Sequence, residues 1–231
     1  MTILVPALLT ALNLAIGTLG LHFASQGHWE RASWLVFACA FLDGLDGPAA
    51  RWLKKESSFG KLFDSAVDLI SFGILPAAIF YSFNNNLDPL NGLALVIYVS
   101  SCLFRLVRFS RSSKIHHLPK NSDFEGLPVT ASAGFLAAFL LMFSEVAKEE
   151  TVGLCLLLAL SLLMISQIPF HRTQYFIKRL RMSKPPFIFP IVILLMILIL
   201  GPKATALAGF SSYIAHGLFK ELSRYWKPLA V

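Results

Sequence analysis

Apolar runs of about twenty residues, separated by short polar or basic stretches, set the organisation of this chain. They predict eight helices, over about 3–24, 31–53, 60–83, 89–110, 126–144, 151–169, 186–202 and 204–220. The seventh, from Phe187 to Leu200, is the most uniformly apolar. The eighth carries Ser211, Ser212, Tyr213 and His216, and reads as a helix packed inside the bundle or lying at the interface. No internal repeat or low-complexity segment is evident. The expected fold is all-α: a polytopic transmembrane bundle forming one domain over residues 1–231, with its site between helices two and three and their neighbours.

Composition supports lipid as the main solvent. The chain is 56% hydrophobic and 14% charged, where soluble domains average about 25% charged residues. Spans of that length consume most of the 231 residues and leave no room for a separate soluble domain. The N-terminus has no basic stretch before its first apolar run and no clear cleavage site, so it reads as a membrane helix and not a removable signal. Cys39, Cys102 and Cys155 lie far apart in apolar stretches and read as small buried residues.

The net charge of +7 is distributed by side. Arg51, Lys54, Lys55 and Lys61 surround the second connection. Arg105, Arg108, Arg111, Lys114 and Lys120 surround the fourth, and Arg172, Lys178, Arg179, Arg181 and Lys184 the sixth. Lys220, Arg224 and Lys227 follow the last helix. The alternate connections carry only Arg31, Lys148 and Lys203. Basic loops stay cytoplasmic, which places both termini there in a cell inner membrane. Anionic lipid, not nucleic acid, is the partner this charge implies. The segment His171–Lys184 reads either as a helix on the anionic inner leaflet or as a plain topology-setting loop. His116 and His117 read as solvated loop residues, and His216 as a structural histidine.

The chemistry lies in the acids. Asp43 and Asp46 are three residues apart, with Gly47 and Ala50 on the same helical stripe; Gly60, Asp64 and Asp68 follow at intervals of four. Each helix therefore presents carboxylates and small residues on one face, and a short connection makes the two helices antiparallel neighbours. An Asp at the centre of a membrane helix costs roughly 2.5–3.5 kcal/mol, and four together repel. Hard divalent cations neutralise such oxygen clusters, and two of them can clamp a diphosphate for in-line attack. Small residues also suit tight helix packing by themselves.

The pattern D-x2-D-G-x2-A-R-x8-G-x3-D-x3-D, complete from Asp43 to Asp68, resembles the signature of the CDP-alcohol phosphotransferase family. The resemblance implies that Asp43, Asp46 and Asp64 are the principal ligands of two divalent cations, Mg²⁺ or Mn²⁺. It implies that Asp68 completes the site and is the general base, and that Gly47, Ala50, Arg51 and Gly60 shape the CDP site. Homodimers are frequent in the family.

Further segments are similar to the membrane-bound phosphatidylserine synthases: Ser71-Phe72-Gly73 with Pro76, Arg105 with Arg108-Phe109, Phe124 with Gly126-Leu127-Pro128, and the N-terminal Pro6, Thr10, Asn13 and Gly17. The likeness runs to about residue 170. It implies CDP-diacylglycerol and L-serine as substrates and phosphatidylserine and CMP as products. Arg105 and Arg108 are candidates to grip the serine carboxylate, or else topology-setting arginines. Gly126 and Pro128 suggest a tight start to helix five that lines the acceptor pocket. Glycerol 3-phosphate or inositol phosphate would be the competing acceptors. A divalent-cation transporter is the alternative from another class.

Overall fold

The computed structural model describes residues 4–52, 58–84, 88–115, 124–170 and 188–225. They are mostly helical. In chain order the helices are α1 (Leu4–Ser25), α2 (Trp29–Trp52), α3 (Ser58–Asp68), α4 (Leu75–Asn84), α5 (Pro89–Ile115), α6 (Val129–Met142), the short α7 (Ser144–Ala147), α8 (Glu150–Ile165), α9 (Ile188–Leu200) and α10 (Pro202–Tyr225). Among the described residues three stretches are long and apolar enough to cross a membrane: Leu8–Ser25, Leu62–Asn84 and Pro89–Arg111. The chain is a membrane protein.

The expected third helix is one rod with a changed winding in its middle. Leu69–Ile74 is π-helical and joins α3 to α4. The Leu75 N–H donates to the Ile70 carbonyl, five residues back. Such a stretch carries an extra residue in the turn and shifts the faces on either side of it.

The expected fifth and sixth helices are shorter than their apolar runs. Phe124–Glu125 (β1) and Pro169–Phe170 (β2) form an antiparallel pair, Phe124 opposite Phe170 and Glu125 opposite Pro169. Apolarity alone placed residues 126–128 and 166–169 in helices. Gly126 has φ +79°, which ends any helical continuity. Pro128 stands immediately before α6, where a missing N–H costs little. At the other end, Ser166 is extended, at φ −56° and ψ 161°, and the chain leaves α8 there.

At fourteen residues α6 extends only about 21 Å, short of a hydrocarbon core of about 30 Å. It has no need to meet lipid along its length. Ala131, Ser132, Ala133, Gly134, Ala137 and Ala138 are buried, and α2, α4, α5, α8 and α10 all pack on it. Its small residues let several helices approach one axis closely. Around it the core includes Phe72, Phe80, Tyr98, Leu136, Leu140 and Met164. Outward positions such as Leu103, Phe104, Leu162 and Leu198 are exposed and apolar, as a lipid-facing surface requires. The segment 171–184, His116 and His117 lie outside the described residues; His216 is exposed on α10.

Candidate active site

Three helices carry charges within electrostatic reach of one another. Asp43 lies on α2, Asp64 and Asp68 on α3, and Arg105 on α5. Asp43 is within electrostatic reach of both Asp64 and Arg105, and Arg105 is within reach of Asp68. The three carboxylates are half-buried, while Arg105 is only 7% exposed. Asp43 and Asp64 thus repel each other from different helices in a low-dielectric setting, beside one buried guanidinium. That oxygen-rich donor set suits a hard cation. Among the described residues no three His, Cys, Asp or Glu side chains group closely enough to hold an ion. The side chains of Asp46, Gly47, Ala50 and Arg51 lie outside the described residues. Gly60 is exposed on the first turn of α3. A Cβ built on Gly44, next to Asp43, meets no atom within 4 Å, so that turn of α2 faces open space.

The π-helical stretch begins directly after Asp68, and neighbouring helices hold it from two sides. On one side α1 comes very close: a Cβ on Gly17 would sit 2.7 Å from Ser71 Oγ, and one on Gly20 would sit 2.8 Å from a Leu75 methyl. The buried Ser71 hydroxyl donates to Asn13 Oδ1 at 3.2 Å. On the other side the Tyr98 hydroxyl of α5 donates to the Phe72 carbonyl at 3.2 Å, and itself receives Ser132 Oγ of α6 at 3.4 Å. Tyr98 has no exposed surface, so this short polar chain satisfies groups that would otherwise be buried without partners. Asn13, Gly17 and Ser71, separate in sequence, therefore form one contact that holds the π-helical stretch following Asp68. Tyr98 was not legible as part of it, because a Tyr in an apolar run carries no sign of which carbonyl it will meet.

Arg108 reaches backbone carbonyls of two segments. Its Nη1 donates to the Ile165 carbonyl at 2.9 Å. Its Nη2 reaches the carbonyls of Glu125 at 2.6 Å, Ser166 at 3.1 Å and Met164 at 3.4 Å. The end of α8 presents carbonyls without intrahelical donors and a negative dipole end, and a guanidinium answers both. Gly126 completes the arrangement: a Cβ there would lie 2.5 Å from the Met164 carbonyl and 2.6 Å from Arg108 Nη2. The Gly126 N–H donates to the Ile168 carbonyl at 2.9 Å, and the Leu127 N–H to the Leu163 carbonyl at 3.0 Å. Arg108 and Gly126 are thus a buckle joining α5, the β1–β2 pair and α8. Both terminal nitrogens of Arg108 are engaged by backbone, and protein atoms fill the space beside Gly126. Pro128, half-buried, fixes the start of α6 beside them.

Residues 3–173 match the profile described as CDP-alcohol phosphatidyltransferase. The chain belongs to that family. It is an enzyme, a transferase of phospholipid synthesis, and this sets aside the cation-transporter alternative. Among its relatives is an archaetidylserine synthase of Methanothermobacter thermautotrophicus, 32% identical over 74% of this chain and 71% of that protein. Bacillus subtilis has a CDP-diacylglycerol--serine O-phosphatidyltransferase 30% identical over 72% of this chain and 89% of its own. One of the same name from Mycobacterium leprae is 29% identical over 96% of this chain and 76% of its own. The family match ends at residue 173, before α9 and α10.

Proposed function

We propose that this enzyme transfers a phosphatidyl group from CDP-diacylglycerol to L-serine, releasing phosphatidylserine and CMP. The observation that carries the reading is that Asp43 lies within electrostatic reach of Asp64 and of the buried Arg105, and Arg105 within reach of Asp68, across three helices. The relatives' names add the acceptor: their lipid differs between phosphatidyl and archaetidyl, and serine is common to both.

Asp43, Asp46, Asp64 and Asp68 would hold two divalent cations, Mg²⁺ or Mn²⁺. Such ions, when bound, clamp the diphosphate and neutralise charge on the departing phosphate. Gly47, Ala50, Arg51 and Gly60 would shape the cytidine end, where small residues let the nucleotide approach the backbone. Arg105 would grip the serine carboxylate, and its burial strengthens that pairing. Asp68 would accept the proton of the serine hydroxyl as its oxygen forms a bond to the phosphorus bearing the diacylglycerol. The bond from that phosphorus to the bridging oxygen breaks, and CMP leaves with the electron pair. No protein nucleophile is needed.

The basic connections support a single polytopic domain of eight spans in a cell inner membrane, with both termini and the opening of the site on the cytoplasmic side. CDP-diacylglycerol would then enter sideways from the inner leaflet, its acyl chains remaining in lipid. A homodimer is the proposed assembly. The deciding assay supplies CDP-diacylglycerol and Mg²⁺ or Mn²⁺ and compares serine with glycerol 3-phosphate and inositol phosphate. Serine-dependent CMP release is expected; release with a phosphorylated acceptor and none with serine would overturn the acceptor assignment.

A further inference from the structure

Helix α1 turns one stripe of small and polar residues inward. Thr10, Asn13, Gly17, Gly20 and Ala24 are buried and recur at spacings of three and four, whereas Leu8, Leu12 and Leu19 face outward. Asn13 is 1% exposed, and a buried carboxamide in an apolar helix is costly unless its polar atoms find partners. It touches two other segments at once. Its side-chain Oδ1 accepts the Ser71 hydroxyl at 3.2 Å, and its main-chain carbonyl accepts the Cys39 thiol of α2 at 3.7 Å. Neither Cys39 nor Ser71 has exposed surface. Cys39 stands one helical turn before Asp43, and Ser71 three residues after Asp68. Gly17, the next member of the stripe, keeps the gap at Ser71 closed, since a Cβ there would lie 2.7 Å from the same hydroxyl oxygen.

We infer that Asn13 is a positioning residue for the carboxylate site: through Cys39 and Ser71 it fixes the spacing between Asp43 on α2 and Asp68 at the end of α3. The inference rests on the proposed binding of divalent cations by these acids. The side chains of a metal site must be held to within about 0.5 Å of the productive geometry. Asp43 and Asp68 belong to different helices, so local structure alone does not set the distance between them. Helix α1 is a third body that touches both helices within about one turn of each acid. The π-helical stretch makes such a hold necessary on the side of Asp68. Rewinding to α would lose its extra residue and turn Asp68 against the segment that follows. The Ser71–Asn13 bond on one side and the Tyr98 bond on the other tie that stretch down. In the sequence Asn13 is only a polar residue in an apolar run, and its partners Cys39 and Ser71 are 26 and 58 positions away.

The test follows Mn²⁺ binding to the full-length enzyme in detergent, by the paramagnetic resonance of the free ion, alongside thermal unfolding in chelator. Asn13→Ala and Ser71→Ala should each weaken Mn²⁺ binding about tenfold, the lower range for loss of the support behind metal ligands. The double variant should bind no more weakly than either single one, because all three lack the same hydrogen bond. The Cys39 contact is to main chain and survives these substitutions, so they isolate the hold on the side of Asp68. Ser71→Ala leaves α1 unaltered and decides the matter if Asn13→Ala does not fold. Thr18→Ala, on the exposed face of α1, should bind as wild type does. An Mn²⁺ affinity within about twofold of wild type in the single variants overturns the inference even where the melting temperature falls, since Asn13 would then serve packing alone. A double variant weakened about a hundredfold also overturns it, because the two residues would be acting independently. Asp43→Asn tests the underlying reading in the same assay. If wild type takes up Mn²⁺ no better than Asp43→Asn, the carboxylates hold no cation, and the metal reading falls together with this inference.

Discussion

Arg108 and Gly126 are in direct contact: a Cβ on Gly126 would stand 2.6 Å from Arg108 Nη2, a nitrogen that also donates to the Glu125 carbonyl at 2.6 Å. The left-handed backbone at Gly126 and the guanidinium are therefore one structural unit. Arg105 lies one helical turn before Arg108 on α5, so the buckle that holds α5 to α8 also sets the direction in which Arg105 faces.

Gly126→Ala should destabilise the protein strongly. The φ of +79° costs about 1–3 kcal/mol for a residue with a Cβ, and contact with Met164 and Ser166 carbonyls adds to it because backbone cannot yield as a side-chain end can. Arg108→Ala removes a charged donor from three carbonyls at the end of α8 and should cost about 1.5–3 kcal/mol. Arg108→Lys should recover little, since one ammonium cannot span the same set of acceptors. Thermal unfolding of the detergent-solubilised variants checks the order wild type, Arg108→Lys, Arg108→Ala.

Removal of divalent cations should abolish CMP release, and Mg²⁺ or Mn²⁺ should restore it. The repulsion between Asp43 and Asp64 makes a second outcome specific. In chelator, Asp43→Asn should melt at a higher temperature than wild type, because one of two like charges is gone. With metal present the order should reverse. Equal melting temperatures with and without chelator would count against a metal held by these carboxylates.

Asp68→Asn should reduce transfer by at least about a hundredfold, the lower range for loss of a positioned base. Binding of CDP-diacylglycerol should be largely retained, measured by displacement of a labelled CDP-lipid. Full activity in this variant would remove Asp68 from the role of base.

Tyr98→Phe isolates the hold on the π-helical stretch that follows Asp68. It removes the hydrogen bond to the Phe72 carbonyl and strands Ser132 Oγ. The expected loss of stability is about 1–2 kcal/mol. Since the π-helical stretch it holds follows directly on Asp68, kcat should fall while the KM for serine stays near wild type. An unchanged kcat in a stably folded variant would show that the stretch tolerates the loss without moving Asp68.

The helical class, the membrane setting and the acidic signature were legible in the chain, because each depends on local pattern. Apolar length selects membrane helices, spacing of three and four puts side chains on one face, and eight fixed residues between Asp43 and Asp68 carry the family. Spacing also indicated that Gly126 and Pro128 mark a tight start to a helix. What remained closed was every relationship that needs two distant segments. Apolarity could not separate helix from the short β1–β2 pair, since both are buried and what distinguishes them is a partner some 45 residues away. Arg105 and Arg108 look alike in sequence; only the packing of α8 decided that one guanidinium faces carboxylates and the other caps carbonyls. The π-helical turn after Asp68 is likewise beyond what local pattern shows. Local periodicity fixes which face of a helix a residue occupies, whereas the identity of the atom it meets is set by how the helices pack.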